Sequence, residues 1–368
     1  MDDPQKVRFA VVGLGNIAQM AVLPAFEHAS ESCELVALVS SDAEKLAELS
    51  QQYQVQHTGG YDDLDRIFRN ANVQAAYIAL PNAQHRAMTE RCARAGAHVL
   101  CEKPMAMTVE DCEAMNAVCE GNGRKLMIAY RLHFDAATLR SIELAQSGKL
   151  GELRFFSSTF SHQVRAGNIR TRQDHGGGAL FDMGIYCVNA VRNLFRDEPI
   201  EVLGSQVIGH DRRFGEVDEM TSAVLRFPGD RIAQLTCSQG AADVDEYRVV
   251  GTLGSLRVEP AYSYHDELTQ HVCMGDKSAV HKFAKSDQFA PELAHFAECI
   301  LSDTEPEPSG QEGLADVRVM QAIIQSARAS RPVALPPMSR TRRPGTELEA
   351  RQPPVSRPRV VHAPSPSR

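Results

Sequence analysis

No CxxC pair occurs among the nine cysteines (Cys33, Cys92, Cys101, Cys112, Cys119, Cys187, Cys237, Cys273 and Cys299). Their spacings do not match zinc sites, and several fall in apolar runs, where a reduced thiol acts as a small hydrophobe. No metal is expected, and the usage fits a reducing cytoplasm. Also missing is any apolar run of the roughly 18–20 residues that span a bilayer. Met1–Lys6 leads straight into a strand-like run, so no secretory leader and no membrane association are expected. Internal repeats are absent too, and so is an excess of positive charge. The chain has 39 basic and 47 acidic side chains, net −8. Residues 336–368 carry seven Arg against two Glu; setting that +5 apart from the whole chain's −8 leaves −13 on residues 1–335. An acidic body argues against nucleic acid as a partner.

What is present is enough chain for two domains, 368 residues at about 100–200 per domain. Over residues 1–130 short apolar runs alternate with helical patterns. Val7–Val12, Leu35–Val39, Ala75–Leu80, Ala97–Cys101 and Lys125–Tyr130 read as strands, with helices from about Ile17 and Ala43 and over Gln84–Ala95. That alternation implies βαβ units and a doubly wound parallel sheet. Residues 131–335 read as an α+β domain with an open, mostly antiparallel sheet. Its strands are expected at Glu152–Phe160, Ile200–Ile208, Met220–Phe227, Arg231–Ser238 and Tyr247–Val250. Helices are expected near Phe134–Ser147, Gly177–Leu194, Pro291–Ser302 and Gln311–Ala329. From Pro336 onward eight prolines in 33 residues cannot supply a core, so residues 336–368 read as a disordered basic tail.

The first strand is followed by Gly13-Leu14-Gly15-Asn16-Ile17-Ala18, a GxGxxA turn at the head of a βαβ series. Gly13 permits the tight turn, Gly15 lets backbone approach a pyrophosphate, and Ala18 lets helix and strand pack closely. The second strand runs into Ser40-Ser41-Asp42-Ala43-Glu44-Lys45. A serine pair and an ammonium suit a 2′-phosphate, and Asp42 reads as a helix N-cap, so the cofactor expected is NADP. Two further segments, Leu80-Pro81-Asn82 through His85 and Cys101-Glu102-Lys103-Pro104, fall at carboxyl ends of parallel strands, where such sheets place their ligand crevice. In the second domain three glycines, Gly176–Gly178, open a helix. There Asp182, Tyr186 and Asn189, spaced four and three apart, would share one face.

Together these segments resemble the Gfo/Idh/MocA oxidoreductases over about residues 6–335. The resemblance rests on the GxGxxA turn, PNxxH at Pro81–His85, EKP at Glu102–Pro104, Ala129-Tyr130-Arg131, the GGGxLxDxGxY helix and the closing Asp316-Val317-Arg318 and Ser330-Arg331-Pro332-Val333. With tyrosine at 186, the chain is most similar to the glucose-fructose oxidoreductase branch and its NADP-linked aldose and dihydrodiol dehydrogenase relatives. The resemblance implies that Tyr61, Asn82, His85, Arg131 and Arg172 line the cofactor. It also implies hydride transfer at C1 of an aldose, giving an aldonolactone, with reduction of a second sugar if the nucleotide is retained. In this reading Tyr186 is the base and Lys103 the cation that favours its phenolate and stabilises the sugar oxygen. Asp182 and Asn189 orient the sugar or the base. Tyr130 and His133 stand as alternative bases, and His162 and His175 read as loop or capping residues. Gln234, Thr236 and Ser238 belong to a sheet face through which relatives pair, so a homodimer or homotetramer is expected. A dihydrodiol or other carbonyl/alcohol dehydrogenase activity is the alternative, and a non-catalytic nucleotide-dependent regulator a further one.

Overall fold

The computed structural model describes residues 5–340 and 342–367. The chain divides into two units, the first made of residues 1–131, 286–314 and 351–365, the second of 132–285, 315–350 and 366–368.

In the first unit six strands, β1 (Val7–Val12), β2 (Cys33–Val39), β3 (His57–Gly59), β4 (Ala75–Ile78), β5 (His98–Glu102) and β6 (Leu126–Ala129), form one sheet in the order β3-β2-β1-β4-β5-β6. All its pairings are parallel. Nearly every residue of β1, β4 and β6 is buried, as expected of strands covered on both faces. The crossovers are α1 (Leu23–His28), α2 (Ala43–Gln52), α3 (Leu64–Asn70), α4 (His85–Arg94) and α5 (Val109–Gly121). The first crossover begins with a π-helical turn, Ala18–Val22, before Pro24 near the start of α1 returns it to α-helix.

The helix Ala290–Leu301 belongs with this unit and not, as the sequence reading had it, with the second domain. Its apolar face explains the assignment. Phe296 meets Phe9 edge-on at 6.4 Å, Leu293 O accepts from Cys33 Sγ at 3.4 Å, and Pro308 O accepts the Ile128 N–H at 3.1 Å.

The second unit holds a nine-stranded sheet. Its strands are β7 (Leu153–Ser161), β8 (Glu201–Ile208), β9 (Asp218–Phe227), β10 (Arg231–Ser238), β11 (Val244–Gly251), β12 (Gly254–Val258), β13 (Leu268–Met274), β14 (Lys277–Phe283) and β15 (Val333–Ala334). They run in the order β14-β13-β12-β11-β7-β10-β9-β8-β15, antiparallel except where β7 lies beside β10. Helices α6 (Ala136–Gln146) and α7 (Ile185–Phe195) pack on each other and, respectively, on β13 and on β7 and β10. The fold class is as expected, but β12–β14 had not been anticipated. In β13 an inward Gln270 interrupts the apolar alternation; it is buried because it donates to Ala137 O at 2.7 Å and Ser141 Oγ at 2.8 Å.

The expectation of a disordered tail is corrected. Arg343 is buried against Glu198 (2.7 Å) and the Arg192 carbonyl (3.0 Å), and residues 351–365 lie on the first unit. A proline-rich segment cannot build a core, but its backbone and arginines are satisfied by groups the body already presents. None of the nine cysteines joins a disulfide among the described residues, and eight are buried. Among the described residues no helix is long and apolar enough to cross a membrane, and no cluster suits a metal ion.

Candidate active site

The first unit contributes a crevice at the carboxyl ends of its strands. Gly13 leaves β1 at φ +95°, and a Cβ there would lie 2.5 Å from Ala79 O, so only glycine fits. A Cβ on Gly15 would meet nothing within 4 Å, which leaves that backbone open to a ligand. Leu14 is buried beneath the turn, while Asn16 and Ile17 are half-buried. These features fit the pyrophosphate of a dinucleotide.

At the end of β2, Asp42 caps α2, accepting from the Glu44 and Lys45 N–H groups at 3.1 Å each. The Lys45 N–H bond, followed by a bond with His362, holds its carboxyl below the usual range. Ser40 Oγ accepts the Asp42 N–H, and Ser41 is bonded to the Tyr61 phenol, whose burial pushes its pKa up. Ser40, Ser41, Asp42, Lys45 and Tyr61 therefore lie close together at the end of β2.

His85 is fully buried, with Nδ1 2.9 Å from Pro104 O and Nε2 2.9 Å from Leu80 O, and burial keeps its pKa below the ordinary imidazole value. Its ring lies between the loop after β4, Leu80-Pro81-Asn82, and the Lys103-Pro104 turn after β5, and as a neutral imidazole donates to one of the two carbonyls. Glu102 is buried beneath Lys103 and accepts from the Tyr77 hydroxyl at 2.8 Å and the Lys103 N–H at 3.2 Å. Burial raises the pKa of Glu102, and burial together with the Glu102 charge raises that of Glu292. Neither Tyr77 nor Glu292 was visible as a site neighbour, since each lies in an ordinary apolar or helical stretch. Arg131 is buried and donates to Gln288.

In the second unit Gly176 and Gly178 take positive φ, and a Cβ on Gly177 would sit 2.3 Å from Arg170 O. The helix they open begins as a π-helical turn, Leu180–Gly184, and becomes α7 only at Ile185. Asp218 anchors the start, accepting the Leu180 N–H at 2.9 Å, and burial pushes its pKa up to about 6.

The π turn breaks the expected common face, because it adds a residue to the first turn. Asp182 accepts from Arg170 Nε at 2.8 Å and Gln239 Nε2 at 3.1 Å. Tyr186 stacks its ring edge-on against Phe160 at 5.6 Å and lies 5.7 Å from Tyr262. Asn189 belongs to a buried network. Its Oδ1 lies 2.9 Å from His133 Nε2, and its Nδ2 donates to Asp316 at 2.9 Å, while Asp316 also pairs with fully buried Arg192. Asn189 thus belongs to that network, and His133 is engaged by it. Arg172 pairs with Asp174 at 2.9 Å on an exposed loop. Ser238 is buried.

A parallel sheet with a glycine turn after its first strand, in one chain with an α+β unit built on an open sheet, has the parts of a dinucleotide-dependent oxidoreductase. Residues 7–130 match the oxidoreductase family with an NAD-binding Rossmann fold, and residues 139–257 match the GFO/IDH/MocA C-terminal domain. The chain belongs to this GFO/IDH/MocA family. It is similar to the crystal structure of the aldose-aldose oxidoreductase from Caulobacter crescentus complexed with glycerol (39% identity, TM-score 0.86, 90% of this chain and 100% of that one). It is also similar to the D-xylose 1-dehydrogenase [NADP(+)] of Haloarcula marismortui, 34% identical over 342 residues, 91% of this chain and 94% of the relative. A 3-ketoreductase from Actinomadura kijaniata, in complex with NADP and TDP-benzene, shares 26% identity and a TM-score of 0.81 over 88% of this chain and 98% of that one.

Proposed function

We propose that this protein is an NADP-dependent sugar oxidoreductase acting at C1 of an aldose. The observation that carries the reading is the likeness at 39% identity to an aldose-aldose oxidoreductase, in a chain that keeps Lys103 after β5 and Tyr186 in α7. Bound NADP supplies the hydride acceptor and, once reduced, the hydride donor. Asn16, Ser40, Ser41, Lys45 and Tyr61 hold the nucleotide, and Gly13 and Gly15 leave room for its pyrophosphate.

Tyr186 takes the proton from the C1 hydroxyl as the C1–H bond is lost, so the aldose leaves as its lactone. Lys103 stabilises the negative charge that develops on the same oxygen. In reverse, Tyr186 returns its proton to the oxygen of a second aldose, which completes a cycle without exchange of nucleotide. Asp182, held by Arg170 and Gln239, orients the sugar hydroxyls.

The mostly buried thiols suit a cytoplasmic enzyme, and the exposed apolar residues of β7–β10 suit pairing with a second copy. The test is an assay of the purified protein with NADP against an aldose panel and a trans-dihydrodiol. Lactone formation from an aldose is expected; turnover of the diol alone would replace the sugar reading, and no turnover of either would end it. Mass spectrometry of the protein as purified separates the two cycles, since a co-eluting NADP accompanies the two-sugar reaction and an empty protein a simple dehydrogenase.

A further inference from the structure

The segment Arg359–Ala363 lies across the mouth of the nucleotide site. Its Val361 N–H donates to Gln19 Oε1 at 2.7 Å, and Gln19 Nε2 donates back to Val361 O at 2.9 Å and to Leu14 O at 2.8 Å. Gln19 is 1% exposed and Val361 6%, so this two-way amide pair is built in and not a surface accident. Next along the segment, Asn16 Nδ2 donates to Ala363 O at 2.9 Å. On the other side His362, at φ +45°, sets Nδ1 3.1 Å from Asp42 and Nε2 3.3 Å from Glu44, while Arg359 pairs with Glu48 at 3.1 Å. The segment thus runs from the pyrophosphate turn to the start of α2, the span that the adenosine half of a dinucleotide occupies in such a sheet. In every one of these bonds the body supplies a side chain, so the segment draws on none of the backbone N–H groups of the glycine turn.

The chemistry of His362 answers a difficulty in the site itself. Asp42 and Glu44 flank the serine pair and Lys45, and two carboxylates there would repel a 2′-phosphate. An imidazolium between them removes that repulsion and offers a cation to the phosphate edge. We infer that Arg359–Ala363 is a strap closed over the adenosine end of NADP, with His362 as the residue that neutralises Asp42 and Glu44 for the 2′-phosphate, so that the nucleotide is retained from one sugar to the next. The inference rests on the NADP reading above.

The test uses the whole chain and three variants: Val361→Pro, which deletes the N–H given to Gln19; His362→Ala; and a chain ending at Ala350. Each is loaded with NADPH, and release is followed by loss of nicotinamide fluorescence during a chase with excess NADP+. Circular dichroism melting confirms that the variants are folded. Expected are release at least about tenfold faster in Val361→Pro and in the shortened chain, and for His362→Ala an NADPH-over-NADH preference reduced about threefold, since the ion pairs are half-exposed. Unchanged release in all three overturns the strap, and so does tighter binding in the shortened chain, which would make the segment a competitor of the nucleotide. A full-length chain that binds NADH as well as NADPH would defeat the NADP reading, and the release rates would still report on the strap separately.

Discussion

Replacing Tyr186 with phenylalanine removes one oxygen and keeps the ring that packs on Phe160 and Tyr262. If that oxygen is the base, kcat falls about 10²–10⁴-fold while NADPH affinity and melting temperature stay close to those of the parent. Lys103→Met keeps the side-chain length and loses the cation, with an expected loss of about 10²–10³-fold in kcat. Steady-state kinetics on an aldose check both, and near-normal turnover in the two folded variants would remove these residues from the mechanism. His362 gives a prediction in pH. Its hydrogen bond with Asp42, and then the charge of Glu44, raise its pKa above the ordinary imidazole value, against the opposing charge of Lys45. A group whose folded pKa is raised contributes fully below its unfolded pKa, about 6.5, and its contribution is lost as pH rises through the folded value. NADPH release from the full chain should therefore accelerate as the solution becomes alkaline. The same pH series on His362→Ala should lack that component, and parallel profiles would exclude the imidazole.

At the scale of elements, α7 is held by its polar residues as much as by its apolar ones. Arg192 is fully buried and pairs with Glu198 at 2.6 Å and with Asp316, which also accepts from Asn189. Arg192→Met would leave buried Asp316 without its cation and Glu198 with Arg343 alone, and a loss of about 3–5 kcal/mol in unfolding free energy is expected, read from the urea midpoint. A shift below about 1 kcal/mol would mean that the network is not what secures the helix. The same elements mark how far the sequence could be read. The GxGxxA turn and the strand-end EKP were legible because a turn chemistry and an apolar period agree there within a few residues. Asn189 was placed by local spacing, but its partner Asp316 is 127 residues away and the π turn at Leu180–Gly184 changes the register before α7 starts. β13 was hidden by Gln270, whose burial depends on α6. The tail was misread because proline content reports the lack of a core and says nothing about side chains elsewhere, such as Gln19 and Glu198, that can receive an extended chain.

For the molecule as a whole, the second unit's sheet presents Phe155 of β7, Ile232 of β10, Val224 of β9 and Leu203 of β8, each between 39% and 48% exposed. Their registers make them neighbours: Phe155 stands beside Ile232, Val224 beside Leu203, and Gln234 beside Val224. Monomers rarely leave an apolar patch this contiguous in water, and a second copy placed on the same face would cover it isologously, with each residue used twice. A single charge at the centre is then felt twice per dimer. Val224→Glu buries two like carboxylates in one interface, and the dissociation constant is expected to rise by well over tenfold. Light scattering coupled to size-exclusion chromatography should find the parent at a multiple of 40.4 kDa and the variant at that mass, with NADPH release from the first unit unaltered. A parent that elutes at 40.4 kDa, or a Val224→Glu chain that keeps the parent's oligomeric mass, would show that this face pairs with no second copy.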